Sequence, residues 1–418
     1  MSNEELTKTS SANSSEQEES LPAQKGDISL QKERLRWRNI LARVVLFLIF
    51  AAGFFFSVIP VGRAATRALL LLPSVLLASQ PGVVTMTEEP VRHVKKTITS
   101  SNGPVYLDVY EPAVAAPPIP GGREGMVVIS GVGDNRKEPQ LVNFLQALAH
   151  TGVVVMLVTT PTLIQYDLSA ADSDGVVQAF QTLERWPGVG ANRVGIVAFS
   201  AGDVLACFGA ADARIRAKVA FLTLFGGYFN AKTLIRAAAR RALTVDGKTQ
   251  PWNPQYVPIQ VLANVIEPLL PPTEGPRMVN ALSPAGMPLT PDELASFSHD
   301  TVTVYHLLRG DEPDMVDSNL ASLSQPLQAL LDTMSPSRVI GQIDAPVYLM
   351  HDRSDQFVPF TESRDFAAAL ARIHHRYDFA EFGIFQHVEV KSGLNFWQLV
   401  GDGTTLFRLV DETMLPGS

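Results

Sequence analysis

In the run VGIVAFSAGDVLA, Ser200 stands between β-branched and aromatic residues ending at Phe199 and a small-residue stretch opening with Ala201 and Gly202. Ala198 and Gly202 flank the serine two positions away on either side, which leaves room for a sharp strand-to-helix turn that pushes the hydroxyl into the open. Such a turn suits a nucleophile, and the same short motif also suits a serine that merely caps a helix. A serine hydroxyl attacks a carbonyl at neutral pH only when a base takes its proton. Of the eight histidines, His387 in EFGIFQHVEV, on the loop leaving the last strand, is the best placed to do so. A base needs an acid to hold its ring in one tautomer, and Asp355 sits just beyond the run PVYLM in HDRSDQFVP. Asp352 in the same loop is a rival for that role, although a residue immediately after a strand suits a turn. In the order Ser, Asp, His, each residue follows a different strand.

Bringing three distant side chains to one rim requires a sheet with its strand ends aligned. VRHVKKTI and VYLDVY, separated by SSNGP, predict a hairpin with an Asn-Gly turn. After the proline-rich EPAVAAPPIPGG come strand MVVIS, helix 140–150, strand VVVMLV, helix 172–186, strand VGIVAF, helix 201–211 and strand VAFLTLF. Strand alternating with helix predicts an α/β fold with a mostly parallel sheet covered on both faces. Between 230 and 343 this regularity lapses into helical stretches broken by prolines, as in IEPLLPPTEGP. It resumes with strand PVYLM, helix 361–373, strand YDFAEF and helix 396–413. An insertion of that size reads as a subdomain rather than a loop. Ligand clefts of open α/β sheets lie beyond the carboxyl ends of the strands, so the insertion is a candidate helical cap over the cleft.

With these residues in place, the chain resembles an α/β-hydrolase, nearest to the bacterial esterase and dienelactone-hydrolase-like branch. The resemblance is carried by VYLDVYEP, SGVG after the third strand, AFSAG, APVYLMHDRSDQFVP and His387, over about 91–413 apart from the insertion. It implies Ser200 as nucleophile, Asp355 as acid and His387 as base. It also implies an oxyanion hole made by the backbone N–H of Ala201 and of a residue in Gly131-Val132-Gly133, Gly131 and Val132 being the candidates. Acyl transfer places negative charge on the carbonyl oxygen, and two fixed donors stabilise it by several kcal/mol. The chain departs from the pattern at Ala198, Asp203 and Asp352, where the family often has glycine. A charged Asp203 would disfavour a nearby oxyanion. Dienelactone hydrolases proper use a cysteine nucleophile, so their substrate does not carry over.

The 418 residues exceed what one core usually supports, and 46% hydrophobic with 18% charged residues excludes a collagen-like, coiled-coil or wholly disordered chain. A net charge of -8 supplies no basic field for nucleic acid. The single cysteine, Cys207, forms neither an internal disulfide nor a thiolate zinc cluster. Residues 1–43 read as a disordered cytoplasmic tail ending in the basic flank KERLRWRNILAR. The uncharged run VVLFLIFAAGFFFSVIPV, 44–61, spans about 27 Å as a helix, close to the roughly 30 Å of a bilayer core. Lys32, Arg34, Arg36, Arg38 and Arg43 precede it, so the positive-inside bias predicts a cytoplasmic amino terminus and an extracytoplasmic catalytic domain. A cleaved signal peptide is the alternative. Residues 62–90 form an interfacial or connector segment, 91–229 and 344–418 the two parts of the α/β domain.

His374-His375 face different ways on a helix and have no acid at ligand spacing, so no metal is expected. Arg236, Arg240 and Arg241 form either a solvated face or a contact for anionic lipid or an acidic substrate. No P-loop or dinucleotide fingerprint occurs, so no cofactor is expected. The expected function is a membrane-anchored serine hydrolase acting on a small ester. Acyl transfer or short-peptide cleavage on the same triad, and a non-catalytic binding protein of this fold, are the alternatives.

Overall fold

The computed structural model describes residues 44–48, 66, 90–113, 121–387, 389–391 and 396–413. Residues 44–48 are helical. Most of the apolar run 44–61 lies outside the described residues, as do nearly all of 1–43 and 62–90; among the described residues no helix is long and apolar enough to cross a membrane.

The alternating pattern folds into one eight-stranded sheet. Its strands in chain order are β1 (Val91–Ser100), β2 (Gly103–Pro112), β3 (Arg123–Ile129), β4 (Val154–Thr159), β5 (Val189–Phe199) and β6 (Val219–Phe225). A small hairpin, β7 (Ala242–Val245) and β8 (Lys248–Pro251), belongs to the insertion, and β9 (Val347–Asp352) and β10 (Tyr377–Phe382) complete the sheet. The spatial order is β1-β2-β4-β3-β5-β6-β9-β10. β2 runs antiparallel to β1 and β4, and all other pairs are parallel. Ser101 and Asn102 close the β1–β2 turn where Asn-Gly predicts it.

The central strands are continuous aliphatic runs because both faces are covered. On one face Val128, Val155 and Leu157 pack with Leu145 and Leu148 of α1 (Pro139–His150) and with Leu406 and Leu409 of the last helix, Phe396–Thr413. On the other, Val127, Met156, Ile196 and Leu222 pack with Val176 and Phe180 of α3 (Ser173–Glu184) and Val204 of α4 (Gly202–Ala211); α2 is the single turn Pro161–Ile164.

The chain leaves the sheet after β6 and returns in β9, which pairs directly with β6. The intervening residues form helices including α5 (Ala231–Arg240) and α6 (Tyr256–Ile266), together with the β7–β8 hairpin. That hairpin departs from the all-helical expectation. Its turn, Asp246-Gly247, has both residues at positive φ, +50° and +75°, the backbone that two-residue hairpins require. Asn230 caps α5 by accepting from the amides of Lys232 and Thr233 at 2.9 and 3.4 Å.

Candidate active site

Ser200 occupies the turn between β5 and α4 with φ +57°, left-handed backbone that a serine adopts only when its surroundings impose it. The Ser200 amide donates to the Phe225 carbonyl at 2.8 Å, tying the turn to the end of β6. Gly202 is needed here, because a Cβ on it would lie 2.6 Å from the Ser130 carbonyl oxygen. The serine is half-buried, and its Oγ has no hydrogen-bond partner among the described residues.

Asp355 lies on the loop after β9 and is buried. Its Oδ1 accepts from the amides of Phe357 and Val358 at 2.6 and 3.0 Å, which fixes the carboxylate. Its Oδ2 lies 2.6 Å from His387 Nδ1 and 3.3 Å from His351 Nε2. Burial alone would raise the Asp355 pKa. The charge of His387 and the hydrogen bonds from both histidines outweigh that and hold the carboxyl well below the usual carboxylate range.

His387 follows β10 with φ +59° and is buried, its ring stacked on Phe357 at 4.6 Å and 17°. Its Nε2 has no partner among the described residues. Ser200 and His387 converge on one segment: the serine amide bonds Phe225, and the histidine ring packs on Gly226. The structure thus brings Ser200, Asp355 and His387 to the carboxyl edge of β5, β6 and β9.

Asp352 stands elsewhere. It accepts from the amide and hydroxyl of Ser354, from the Phe385 amide at 2.8 Å and from Lys391 Nζ at 3.3 Å, so it braces the histidine loop without touching His387. His351 is fully buried between Ser363 Oγ and the Val358 carbonyl, 2.7 and 3.0 Å away, and steadies the same acid loop.

The loop after β3 passes beside the serine: a Cβ on Gly131 would lie 3.4 Å from Ser200 Oγ. Asn135 Nδ2 gathers the Gly131 and Val132 carbonyls at 2.9 and 3.2 Å. The amides of Gly131, Val132 and Ala201 have no partner among the described residues, whereas the Gly133 amide is spent on the Leu163 carbonyl at 2.7 Å. Asp203 is buried beneath this region, and burial pushes its carboxyl well up, more than the amides of Gly227 and Phe225 pull it down. Burial thus disfavours the charged form of Asp203, which weakens the electrostatic objection raised by a charge at this position.

Helix α6 is tied to two rim loops. At its start the Gln255 amide donates to the Gln356 carbonyl at 2.7 Å, and near its end Asn264 Nδ2 donates to the Tyr166 carbonyl at 2.9 Å. Trp252 Nε1 donates to the Asp355 carbonyl at 2.7 Å. Sequence reasoning missed Tyr166, whose φ of +57° no motif signals.

A cavity of about 670 Å³ lies apart from the triad, lined by residues including Arg236, Arg240, Asp314 and Arg364. Its arginines are engaged: Arg236 and Arg240 share Asp317, and Arg364 pairs with Glu381. Arg241 turns away to the carbonyls of Leu308 and Arg309. No cluster suited to a metal ion occurs among the described residues, and His375 bonds the Ala345 carbonyl instead.

Strand order, the antiparallel second strand, the strained serine after β5 and the acid and histidine after β9 and β10 together make this an α/β-hydrolase fold. No family model matches the sequence, and no curated protein matches it. Among solved structures, the chain is similar to a Mycobacterium tuberculosis puromycin-hydrolyzing peptidase, with 16% identity, TM-score 0.47 and coverage of 78% of this chain and 39% of that one. It is similar to an esterase from Pyrobaculum calidifontis, with 18% identity, TM-score 0.42 and coverage of 84% and 90%. It is also similar to the Pyrococcus horikoshii acylaminoacyl peptidase, with 10% identity, TM-score 0.47 and coverage of 80% and 44%. The chain thus spans less than half the length of either peptidase.

Proposed function

We propose that this protein is a serine hydrolase that cleaves a carboxylic ester through an acyl-enzyme. One observation carries the reading. A strained Ser200 with an unpartnered hydroxyl is tied through its amide to Phe225, next to the Gly226 on which His387 packs, and that histidine's Nδ1 is held 2.6 Å from a buried carboxylate, leaving Nε2 uncommitted.

In the proposed cycle His387 Nε2 takes the Ser200 proton as Oγ bonds to the carbonyl carbon, and the carbonyl electron pair moves to oxygen. The amides of Ala201 and of Gly131 or Val132 receive that oxyanion; one such donor contributes roughly 3 kcal/mol to the transition state. Collapse expels the alcohol oxygen, which leaves with the proton from Nε2. Water then gives a proton to Nε2 and attacks the acyl carbon, and the second collapse releases the acid and returns the proton to Ser200. Asp355 stays ionised throughout and stabilises the imidazolium. An ester is favoured over a peptide because alkoxide departure asks less of the general acid than amine departure.

A fluorophosphonate probe tests the reading. Labelling lost in Ser200→Ala, with turnover of p-nitrophenyl esters lowered by about four to six orders of magnitude in Ser200→Ala and His387→Ala, is the expected result. Activity retained in either variant overturns the assignment. A well-folded but unlabelled wild type favours a binding protein.

We infer further that the run 44–61 anchors the chain in a bilayer with the catalytic domain outside, on the strength of its uncharged length and the basic residues before it. Digestion of the catalytic domain by external protease on spheroplasts supports this, and protection overturns it.

A further inference from the structure

We propose that Tyr166 selects the acyl portion of the substrate, offering its phenol hydroxyl to a carbonyl or hydroxyl several bonds from the scissile carbonyl. This rests on the serine-hydrolase reading above and deepens it.

Tyr166 follows the single turn α2 at the end of β4, with φ +57°. A bulky residue in left-handed backbone is an outlier that persists only where neighbours over-determine it, and such outliers gather at functional sites. Ser200 and His387 share this backbone at the site, whereas Asn192, Arg241, Asp246 and His374 adopt it away from the triad. The neighbours are identifiable: the Tyr166 amide donates to Leu163 at 3.1 Å and its carbonyl accepts from Asn264 of α6. What this backbone achieves is to aim the ring. Its hydroxyl lies 3.3 Å from where a Cβ on Gly133 would stand, on the same loop whose Gly131 abuts Ser200 Oγ. The side chain is exposed, and its hydroxyl has no hydrogen-bond partner among the described residues.

Strand order decides which half of the substrate Tyr166 meets. Along the rim, β4 and β3 lie on one side of the serine strand β5, and β6 and β9 on the other. His387 packs on Gly226 after β6, so the leaving group, which takes its proton from His387, lies on that side. The acyl portion then runs the opposite way, over Gly131 and Val132 toward β4. β4 is two strands from β5, about 10 Å at the usual spacing, so the phenol reaches a group well along the acyl chain rather than the carbonyl itself. A site built to hydrogen-bond a substrate discriminates strongly against an isostere lacking the polar group.

The test compares p-nitrophenyl 5-oxohexanoate with p-nitrophenyl hexanoate on the wild type and on Tyr166→Phe, each first titrated with a fluorophosphonate to count reactive Ser200. The wild type should prefer the oxo ester in kcat/KM, and Tyr166→Phe should lower that preference by about tenfold or more per labelled site. A wild type that is labelled but shows no such preference, or an equal ratio in the two proteins, overturns the inference and leaves the hydrolase reading standing. Absence of labelling in the folded wild type sinks both.

Discussion

The imidazole of His387 rests directly on Gly226: a Cβ built on that glycine would lie 3.3 Å from both Nδ1 and Cε1, and 3.5 Å from Asp355 Oδ2. The backbone there has φ +72°, which a side chain disfavours. Gly226→Ala therefore strains the turn and presses on the paired base and acid at once. Because small misplacements of reacting groups cost about a hundredfold, kcat/KM for a p-nitrophenyl ester is expected to fall by that order. Gly247→Ala is the control, with a similar φ of +75° but nothing within 4 Å of the added carbon and no place near the triad. Equal turnover in the two variants would show that Gly226 does not seat the base.

Two carboxylates three positions apart have separate tasks. Asp355→Asn keeps the shape but loses the charge that fixes the His387 tautomer, so kcat is expected to drop about 10⁴-fold with the fold intact. Asp352→Asn weakens the contacts to Phe385, Ser354 and Lys391, so its main effect is a loss of stability of about 1–3 kcal/mol in urea denaturation. The reverse ranking of the two variants in kcat would hand the acid role to Asp352.

The sheet was legible because its signals are local: an Asn-Gly turn, uninterrupted aliphatic strands and a small-residue frame around Ser200. β5 begins at Val189, ahead of its apolar run, because Val189 pairs with Arg123 of β3 across a register shift that no periodicity announces. The hairpin at 242–251 carried a readable Asp-Gly turn, but neighbouring prolines and helical stretches masked it. Tyr166 was out of reach in the sequence, since no motif signals its left-handed turn and its carbonyl is held by Asn264 of α6, about a hundred residues away. The raised pKa of Asp203 was likewise hidden: its helix position is visible, but its burial comes from distant segments such as Gly227, which packs on its side chain.

That burial has a consequence for pH. The ordinary Asp203 pKa is 3.8, and in the folded chain it stands well above this. The folded protein therefore holds a proton that the unfolded chain releases above about pH 4. This group's contribution is full below that pH and declines as pH rises toward the folded value. Asp203→Asn has no proton to lose, so its unfolding free energy should gain on the wild type between pH 4 and pH 7 in urea denaturation. A wild type that gains on the variant instead would mean an ionised carboxylate in the folded state.

Glu362 shows the same sign at a junction that matters for the insertion. Its Oε2 accepts from the amides of Phe229 and Asn230 at 3.0 and 2.9 Å, where the chain leaves the sheet region for α5. Burial pushes its pKa from 4.5 to about 7, against the pull of Thr233 and those two amides and with some help from Asp365. Stability from this group is present in full below pH 4.5 and is lost as pH rises through 7, by about 3 kcal/mol in all. Glu362→Gln keeps an acceptor for both amides but cannot ionise. Relative to the wild type it is expected to gain about that much between pH 5 and pH 8 in urea denaturation, since most of the titration lies in that interval. Parallel pH profiles in the two proteins would show that the carboxyl is already ionised at pH 5 and that the junction is not proton-linked.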